Sequence, residues 1–243
     1  MEKEKDRKEG VKDFVRAIES YARKRGLLPG DVLNMLTKTL VNFLTYDPAS
    51  NRFYANEGGK GIKDLVSTYF YVLRNELEQR DWVDLFGDFY MQTSANVKGF
   101  GQCFTPDCLC DLLSQLVKPW LDKPEGKPEM VRGFGMKTTM YDCAAGSARL
   151  LLAAGTAYRK ETKNNDCYLM AADVDERCCR MSALNMLVHG FYGEVVCMDT
   201  LMGNAGFRWG YIVNGGLYPI PFGLPSLEFS TDPSMFHQLI KSK

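Results

Sequence analysis

Hydrophobic residues recur at helical spacing through the first part of the chain. From Val11, apolar side chains return every three or four positions as far as Tyr21, and a second such run extends from Asp31 to Tyr46. A third helical region begins near Ile62, and its last amphipathic face comprises Trp82, Leu85, Phe86, Phe89 and Tyr90. These patterns predict a small helical domain over residues 1–95.

From residue 96 onward, strand-like and helix-like runs alternate. An amphipathic helix is expected from Cys108 to Val117. The predicted strands are Thr138–Tyr141, Cys167–Ala172, Gly193–Met198 and Tyr211–Val213, and the predicted helices between them are Ser147–Arg159 and Glu176–His189. Such alternation indicates an α/β domain over residues 96–243, in which helices cover a mainly parallel sheet.

The last part of the chain is unlike a continuation of that sheet. Residues Tyr218–Pro225 are too rich in proline for a central strand. We therefore expect the sheet to be truncated after its fourth strand.

Composition narrows the class of protein without naming a partner. Thirty basic residues balance thirty acidic ones, so the net charge neither requires nor excludes a nucleic acid. The opening residues MEKEKDRKEG are densely charged, unlike a secretory signal or a membrane anchor. No apolar run approaches the roughly 18 residues of a membrane span. These features predict a cytoplasmic protein with no membrane association.

The cysteines and histidines do not follow metal-binding patterns. The eight cysteines contain no paired CxxC units, and His189 and His237 are the only two histidines. We expect reduced thiols, structural histidines and no metal site.

One candidate ligand site is the segment Asp142–Ala148, which lies between a predicted strand and a predicted helix. Its small residues, among them Ala144, Gly146 and Ser147, allow backbone to approach a ligand. N–H groups at the start of the helix are expected to favour a negatively charged ligand group. A structural strand-to-helix turn is the alternative interpretation.

Acidic residues also follow the next two predicted strands. Asp173 is the candidate to accept hydrogen bonds from a ribose diol, whereas Asp175 is the better candidate for a helix N-cap. Asp199 follows the third strand. Three successive acids at strand ends indicate a nucleoside-type ligand held along one edge of the sheet.

Six segments resemble, in the same order, the motifs of adenine-N6 DNA methyltransferases, in particular the modification subunits of type I restriction-modification systems. The resemblance extends from about Asp84 to Asn214. The six are Asp84–Tyr90 (Asp-x-x-Gly-x-x-Tyr), Gly101–Pro106 (Gly-Gln-Phe-Phe/Tyr-Thr-Pro), Asp142–Ala148 (Asp-Pro-Ala-Cys-Gly-Ser-Gly), Asp173, Asn185–Gly190 (Asn-x-x-x-His-Gly) and Asp199–Leu201 (Asp-Thr-Leu).

The resemblance implies a Rossmann-like methyltransferase domain that binds S-adenosylmethionine and acts on DNA, with a specificity or restriction subunit as a possible partner. The cofactor contacts that it implies are Phe104, Thr105, Pro106, Asp142, Ala144, Gly146, Ser147, Asp173, Asp199 and Thr200.

The resemblance also implies where the chemistry occurs. The family signature Asn/Asp-Pro-Pro-Phe/Tyr follows the fourth strand, where Asn and a backbone carbonyl accept the amino hydrogens of a flipped adenine. Here Asn214 is retained, Gly215 replaces the first proline and could supply the carbonyl, and Tyr218 could stack on the base. The lost prolines indicate impaired catalysis or a merely flexible turn, and the methyl group of Ala148 is expected to crowd the cofactor.

Three functions remain open at this point. The first is an adenine-N6 DNA methyltransferase, active or completed by a partner, and the second is a catalytically decayed relative that binds DNA or a partner. A nicotinamide-dependent oxidoreductase is disfavoured, because the chain has no Gly-x-Gly-x-x-Gly turn. Basic residues near Arg23 could contact DNA or form an ordinary solvated helix face.

Overall fold

The computed structural model describes residues 2–47, 52–53, 60–93, 104–121, 129–131, 134–215 and 225–237. The chain divides into two compact units. The first comprises Met1–Phe43 and Ala55–Phe104, and the second comprises Leu44–Tyr54 and Thr105–Lys243. This division differs from the predicted boundary at residues 95 and 96, because the first unit extends to Phe104 and the second unit also includes Leu44–Tyr54.

The first unit is helical. Its helices are α1 (Glu2–Arg25), α2 (Pro29–Leu44), α3 (Lys60–Leu77) and α4 (Leu85–Thr93). The predicted helical character of this region is confirmed, with two corrections. The third predicted region is two helices, and Tyr46 lies in a short strand instead of the second helix. An aromatic cluster lies in the core, where Tyr69 stacks on Phe86 with ring centroids 5.1 Å apart and Phe14 packs against both.

The second unit contains the α/β part of the chain. In chain order its elements are β1 (Tyr46–Asp47), β2 (Arg52–Phe53), α5 (Asp107–Leu121), β3 (Glu129–Val131), β4 (Phe134–Met136), β5 (Thr138–Asp142), α6 (Arg149–Thr162), β6 (Cys167–Asp173), α7 (Glu176–Val188), β7 (Tyr192–Met198), β8 (Phe207–Val213) and β9 (Leu227–Ser230). Short 3₁₀ segments occupy Thr200–Gly206 and Pro233–Met235.

Five strands form the main sheet in the order β5-β6-β7-β8-β9. β5, β6 and β7 are parallel, whereas β8 is antiparallel to β7 and β9 is antiparallel to β8. The predicted strands and helices are confirmed, and so is the fold class, a Rossmann-like α/β unit preceded by helices. The expected end of the sheet after its fourth strand is wrong, since β9 adds a fifth.

The direction of β8 is the second correction, and its cause is the length of the connection. β8 begins at Phe207, four residues before the predicted start of this strand, so only Asp199–Gly206 joins it to β7. A parallel crossover needs a dozen or more residues, whereas an antiparallel return needs few. A Cβ atom at Gly206 would overlap the carbonyl oxygen of Asp199, so glycine is required where this connection closes.

Helices α6 and α7 pack on the same face of the sheet. Leu169 in β6 and Gly193 in β7 are register partners, and Gly155 of α6 approaches Leu169 while Met186 of α7 approaches Gly193. The opposite face is covered by two apolar clusters. Their buried members are Ala172, Val196, Met198, Ile212 and Phe236 in one, and Val131, Met136 and Tyr168 in the other. Both faces of β6 and β7 are therefore buried, as is usual for parallel strands, whereas Thr139 and Tyr141 on one face of β5 are exposed.

Within the described part of the chain, the helices are either too short or too polar to cross a lipid bilayer.

Candidate functional site

Two carboxylates lie together at the carboxyl edge of the parallel strands. Asp142 ends β5 and Asp173 ends the neighbouring strand β6. Partial burial raises the pKa of Asp142, the hydrogen bond from the Ala144 N–H opposes that shift, and the charge of Asp173 adds to it. The structure thus brings these two predicted site residues close enough for their charges to interact.

Asp142 also shapes the turn that follows it. Its Oδ1 accepts a hydrogen bond from the Ala144 N–H at 3.0 Å. This is the local bond that aspartate commonly makes two residues along the chain, and it turns the backbone away from the strand direction. Asp142, the first residue of the predicted turn, therefore stabilises the conformation of that turn.

Asp173 ties the turn to the next strand. Its Oδ2 accepts a hydrogen bond from the Gly146 N–H at 2.9 Å, and its Oδ1 accepts one from the Asp175 N–H at 2.8 Å. Asp175 is the N-cap of α7, since its Oδ1 accepts a hydrogen bond from the Arg177 N–H. The predicted distinction between the two acids is confirmed for the cap. The ribose role of Asp173 stays a prediction.

Four N–H groups of the turn have acceptors within the protein. Ala144 and Gly146 donate to the two carboxylates, Ala145 donates to the carbonyl of Ala172 at 2.9 Å, and Ala148 donates to the carbonyl of Ala145 at 2.7 Å. Because these four groups have acceptors within the protein, they are not available to an anion. The expected attraction of the N–H groups at the start of α6 for a negatively charged ligand group stays a prediction.

The turn contains two residues with left-handed backbone. Gly146 has φ +56° and Ala148 has φ +66°. This conformation is unrestricted for glycine and unfavourable for alanine. The Ala148 side chain is fully buried, so its methyl group lies inside the unit and does not project toward the exposed edge. The expectation that this methyl group crowds a ligand is not supported by its placement.

Two side chains of helix α7 donate hydrogen bonds to the turn. Asn185 Nδ2 donates a hydrogen bond to the carbonyl oxygen of buried Ser147 at 2.8 Å, and the Ser182 hydroxyl donates to the carbonyl oxygen of Gly146 at the same distance. Asn185 belongs to one of the motifs recognised in the sequence, and this contact gives the motif a physical role. Ser182 was not identified in the sequence, because a serine inside a helix carries no distinctive pattern.

Asp199 and Thr200 follow β7 at the same edge. β7 is parallel to β6, so its carboxyl end lies beside that of β6. Asp199 is exposed and caps the 3₁₀ segment, where its Oδ1 accepts a hydrogen bond from the Leu201 N–H at 3.0 Å. Thr200 is half-buried as the first residue of that segment. The structure therefore places all three strand-end acids along one edge, as predicted.

The Thr105–Pro106 segment is held by a residue that the sequence did not reveal. The carbonyl oxygen of Thr105 accepts a hydrogen bond from Nη1 of Arg149 at 3.2 Å. Pro106 directly precedes α5, and its carbonyl accepts hydrogen bonds from the N–H groups of Leu109 and Cys110. Only the unusual presence of an arginine directly after a run of small residues could have drawn attention to Arg149.

Within the helical unit, two of the sequence motifs meet. Asp84 Oδ1 accepts a hydrogen bond from the Gly87 N–H at 2.9 Å, so this side chain caps the start of α4. Tyr90, at the end of that motif, stacks on Phe104 with ring centroids 5.2 Å apart and an interplanar angle of 28°. The spacing of the first motif thus reflects a helix cap and an aromatic contact.

Asn214, the predicted catalytic residue, lies at the opposite end of the strands from the carboxylates, where β7 begins. Val213 pairs with Gly193 at the start of β7, because β8 runs antiparallel. The Asn214 Nδ2 donates a hydrogen bond to the carbonyl oxygen of Phe191 at 2.9 Å, and its Oδ1 accepts one from the Ser226 N–H at 3.3 Å. The expected position of Asn214 beside the carboxylates is therefore wrong.

The remaining predicted residues divide between described and undescribed parts of the chain. Gly215 is buried next to Asn214. Tyr218, Gly216 and Leu217 lie outside the described residues, as do the first three residues of the Gly101–Pro106 motif.

Among the residues that the structure describes, no group of three or more histidine, cysteine or acidic side chains is arranged to hold a metal ion. Seven cysteines in this part of the chain are free thiols, and five of them are buried. His189 ends α7, and its Nδ1 lies 2.6 Å from the carbonyl oxygen of Asn185.

Comparison with known proteins assigns a family. Residues 81–206, just over half of the chain, match the model of the family described as N-6 DNA Methylase. The match extends from the residues before α4 to the end of the 3₁₀ segment after β7 and stops just before β8. Neither the curated proteins nor the solved structures include a match to this chain. On the family match, the chain belongs to the N-6 DNA methylases.

Proposed function

We propose that the chain binds S-adenosylmethionine at the carboxyl edge of β5, β6 and β7, and that it is an adenine-N6 DNA methyltransferase of the restriction-modification type with impaired catalysis. The family membership supports the cofactor class and the DNA substrate. The observation that carries the cofactor proposal is the Asp142–Asp173 pair around a turn of small residues.

The chemistry of this edge fits the adenosyl cofactor. When bound, the cofactor supplies an electrophilic methyl group on a positively charged sulfur and carries a ribose diol. Asp173 uses each oxygen to accept one backbone N–H, and a carboxylate oxygen can accept a second hydrogen bond. Asp173 can therefore hold the turn and accept from a ribose hydroxyl at the same time. S-adenosylmethionine carries no phosphate, which agrees with the acceptors that four N–H groups of the turn have within the protein.

The other predicted contacts have supporting roles in this proposal. Asp142 would add negative charge that favours a positively charged ligand, and Asp199 and Thr200 would extend the binding edge beyond Asp173. Small side chains over the turn let backbone approach the ligand. The residues proposed for that approach are Ala144, Gly146 and Ser147, and Phe104, Thr105 and Pro106 are proposed as further cofactor contacts on the basis of their motif.

The catalytic step has less support. Asn214 would have to accept amino hydrogens through Oδ1, yet that oxygen accepts the Ser226 N–H and lies at the opposite edge from the carboxylates. This observation favours a second candidate, a decayed relative that binds cofactor, DNA or a partner subunit without turnover. Catalysis by Asn214, Gly215 and Tyr218 would require the segment after β8 to rearrange, alone or on a specificity or restriction subunit.

Calorimetric titration with S-adenosylmethionine tests the cofactor proposal. The wild-type chain should bind, Asp175→Asn should bind with the same affinity, and Asp173→Asn should lose most of the affinity. Asp175 is the matched control because it lies two residues away and its side chain caps α7 by accepting the Arg177 N–H. No binding by folded wild-type protein at millimolar ligand would reject the cofactor proposal.

A second experiment separates the two candidates. Transfer of a labelled methyl group to duplex DNA would be measured with and without added specificity and restriction subunits of a type I restriction-modification system. Weak transfer that Asn214→Ala abolishes, while cofactor affinity is retained, would support the impaired enzyme. Cofactor binding with no transfer under either condition would support the decayed binding module.

A further inference from the structure

Arg149 is a buried cation at an electrostatically unfavourable place. It is the first residue of α6, directly after the small-residue turn, and its side chain is only 3% exposed. The N-terminus of a helix carries partial positive charge, so a cation there is disfavoured. Removal of a guanidinium from water adds a further penalty. Burial of an arginine at this position therefore needs compensating contacts.

Those contacts join two segments that are distant in the sequence. Nη1 of Arg149 lies 2.8 Å from Oδ1 of Asp107 and 3.2 Å from the carbonyl oxygen of Thr105. Asp107 is the first residue of α5, and Thr105 precedes it by two positions. One guanidinium thus binds both the start of α5 and the motif segment before it.

Stability alone does not explain this arrangement. Asp107 is 38% exposed, so solvent weakens its attraction to the cation. A buried ion pair of this kind is often no more stabilising than apolar side chains of similar size, and its best-attested benefit is a defined geometry. The pair therefore points to a requirement for a fixed position of the Thr105–Pro106 segment.

We propose that Arg149 is a positioning residue for the cofactor site: its guanidinium, held by Asp107, fixes the Thr105–Pro106 segment beside the turn that Asp142 and Asp173 shape. This inference rests on the proposed binding of S-adenosylmethionine at that edge. Arg149 itself need not touch the ligand, since its effect acts through the carbonyl of Thr105.

The test compares two arginines of the same helix. Arg159, near the other end of α6, donates to the carbonyl oxygens of His189 and Gly190, each at 2.6 Å, and is remote from residues 105–107 in its contacts. Arg149→Met, Arg149→Lys and Arg159→Met would each be measured by thermal unfolding and by calorimetric titration with S-adenosylmethionine.

Arg149→Met should lower the affinity about tenfold, the effect expected for loss of one well-placed charge-assisted contact. Arg149→Lys, which retains the charge and can still donate to Thr105 or Asp107, should recover part of it. Arg159→Met should lower the unfolding temperature without changing the affinity of the folded protein. An Arg149→Met variant that binds as tightly as wild type would overturn the inference, as would a loss of affinity that Arg159→Met reproduces.

Hydrogen exchange on the ligand-free protein keeps this inference separate from the proposed function. The N–H groups of Leu109 and Cys110 donate to the carbonyl of Pro106, and they should exchange about tenfold faster in Arg149→Met than in wild type. Arg159→Met should leave their exchange unchanged. If wild type fails to bind the cofactor but these amides respond, the proposed function is wrong and the positioning contact stands. Unchanged exchange in Arg149→Met would overturn the contact as well.

Discussion

At each of the two ends of the strands in the main sheet, a polar side chain forms hydrogen bonds with backbone groups. The two side chains differ in what they can offer a ligand. At the carboxyl edge of the parallel strands, Asp173 accepts N–H groups from Gly146 and Asp175. At the other edge, Asn214 joins the end of β8 to Phe191 and Ser226. Each side chain connects separate backbone segments through hydrogen bonds, so each is expected to contribute to the stability of the folded protein.

The difference lies in what each group has left for a ligand. The Asp173 carboxylate has about four acceptor positions, of which two serve these N–H groups. The Asn214 amide donates through Nδ2 to Phe191 and accepts the Ser226 N–H through Oδ1, which leaves that oxygen one further acceptor position, and its backbone has the left-handed φ of +54°. Asp173 therefore retains more acceptor positions for a ligand than Asn214 does, and only Asp173 lies at the carboxyl ends of the parallel strands.

The sharpest test of this comparison is Asp173→Ala. Loss of two hydrogen bonds to an ionised group should lower the free energy of unfolding by about 3 kcal/mol, and cofactor binding should disappear. Urea unfolding and calorimetry on the same preparation would measure both. Retained affinity in a destabilised but folded variant would show that the carboxyl edge is structural only.

Asn214→Ala should affect stability but not cofactor affinity. We expect about 2 kcal/mol of destabilisation from the lost bonds and from alanine in left-handed backbone, with no change in cofactor affinity. Asn214→Gly is the control, because it removes the side chain but tolerates the positive φ, and its loss of stability should be smaller. A fall in cofactor affinity for both variants would connect the two edges and contradict the comparison.

The pH dependence of binding should report Asp142. Because its pKa is raised in the folded protein, its neutral form stabilises the fold at low pH, and that contribution is lost as the pH rises through the raised pKa. Cofactor affinity should change in the other direction. A ribose hydroxyl or a positively charged sulfur prefers the ionised carboxylate, so affinity should fall as the pH is lowered toward that pKa.

Calorimetry between about pH 4 and about pH 7 would show this change, since the range covers a carboxyl group with a raised pKa. Asp142→Asn removes the titrating group and serves as the control, with a weaker and pH-independent affinity. The same pH profile in both proteins would assign the dependence to another group.

The smallest effect is expected from Ala148→Gly. Glycine relieves the left-handed strain of about 1 kcal/mol, while the lost methyl burial and the greater freedom of the unfolded chain offset it by a similar amount. Stability should change by less than about 1 kcal/mol, and affinity should be unchanged because the methyl group is buried. A clear gain in cofactor affinity would instead show that this methyl group crowds the ligand.

Several features were predictable because they depend on neighbours in the sequence. The spans of β5, β6, β7, α6 and α7 follow from local periodicity and turn residues, and Asp175 was identified as a cap because capping is a contact between residues two apart. The grouping of Asp142, Asp173 and Asp199 followed from one further rule, that parallel strands bring their carboxyl ends to one edge.

The place of Asn214 was not predictable from the same reasoning. Its motif position suggested a strand end at the carboxyl edge, but four additional strand residues before Tyr211 shortened the connection and reversed the strand. The bonds of Asn214 to Phe191 and Ser226 then follow from that reversal.

Local patterns in the chain determine its elements, its family motifs and the acids that end the parallel strands, because periodicity, capping and turn formation involve residues a few positions apart. Tertiary structure alone decides the direction of β8, the hydrogen bonds of Asn214 with Phe191 and Ser226, and the contact of Arg149 with Thr105, 44 positions earlier in the chain. Such contacts depend on which segments pack together, and the energy of packing is shared among residues too distant for any local pattern to report.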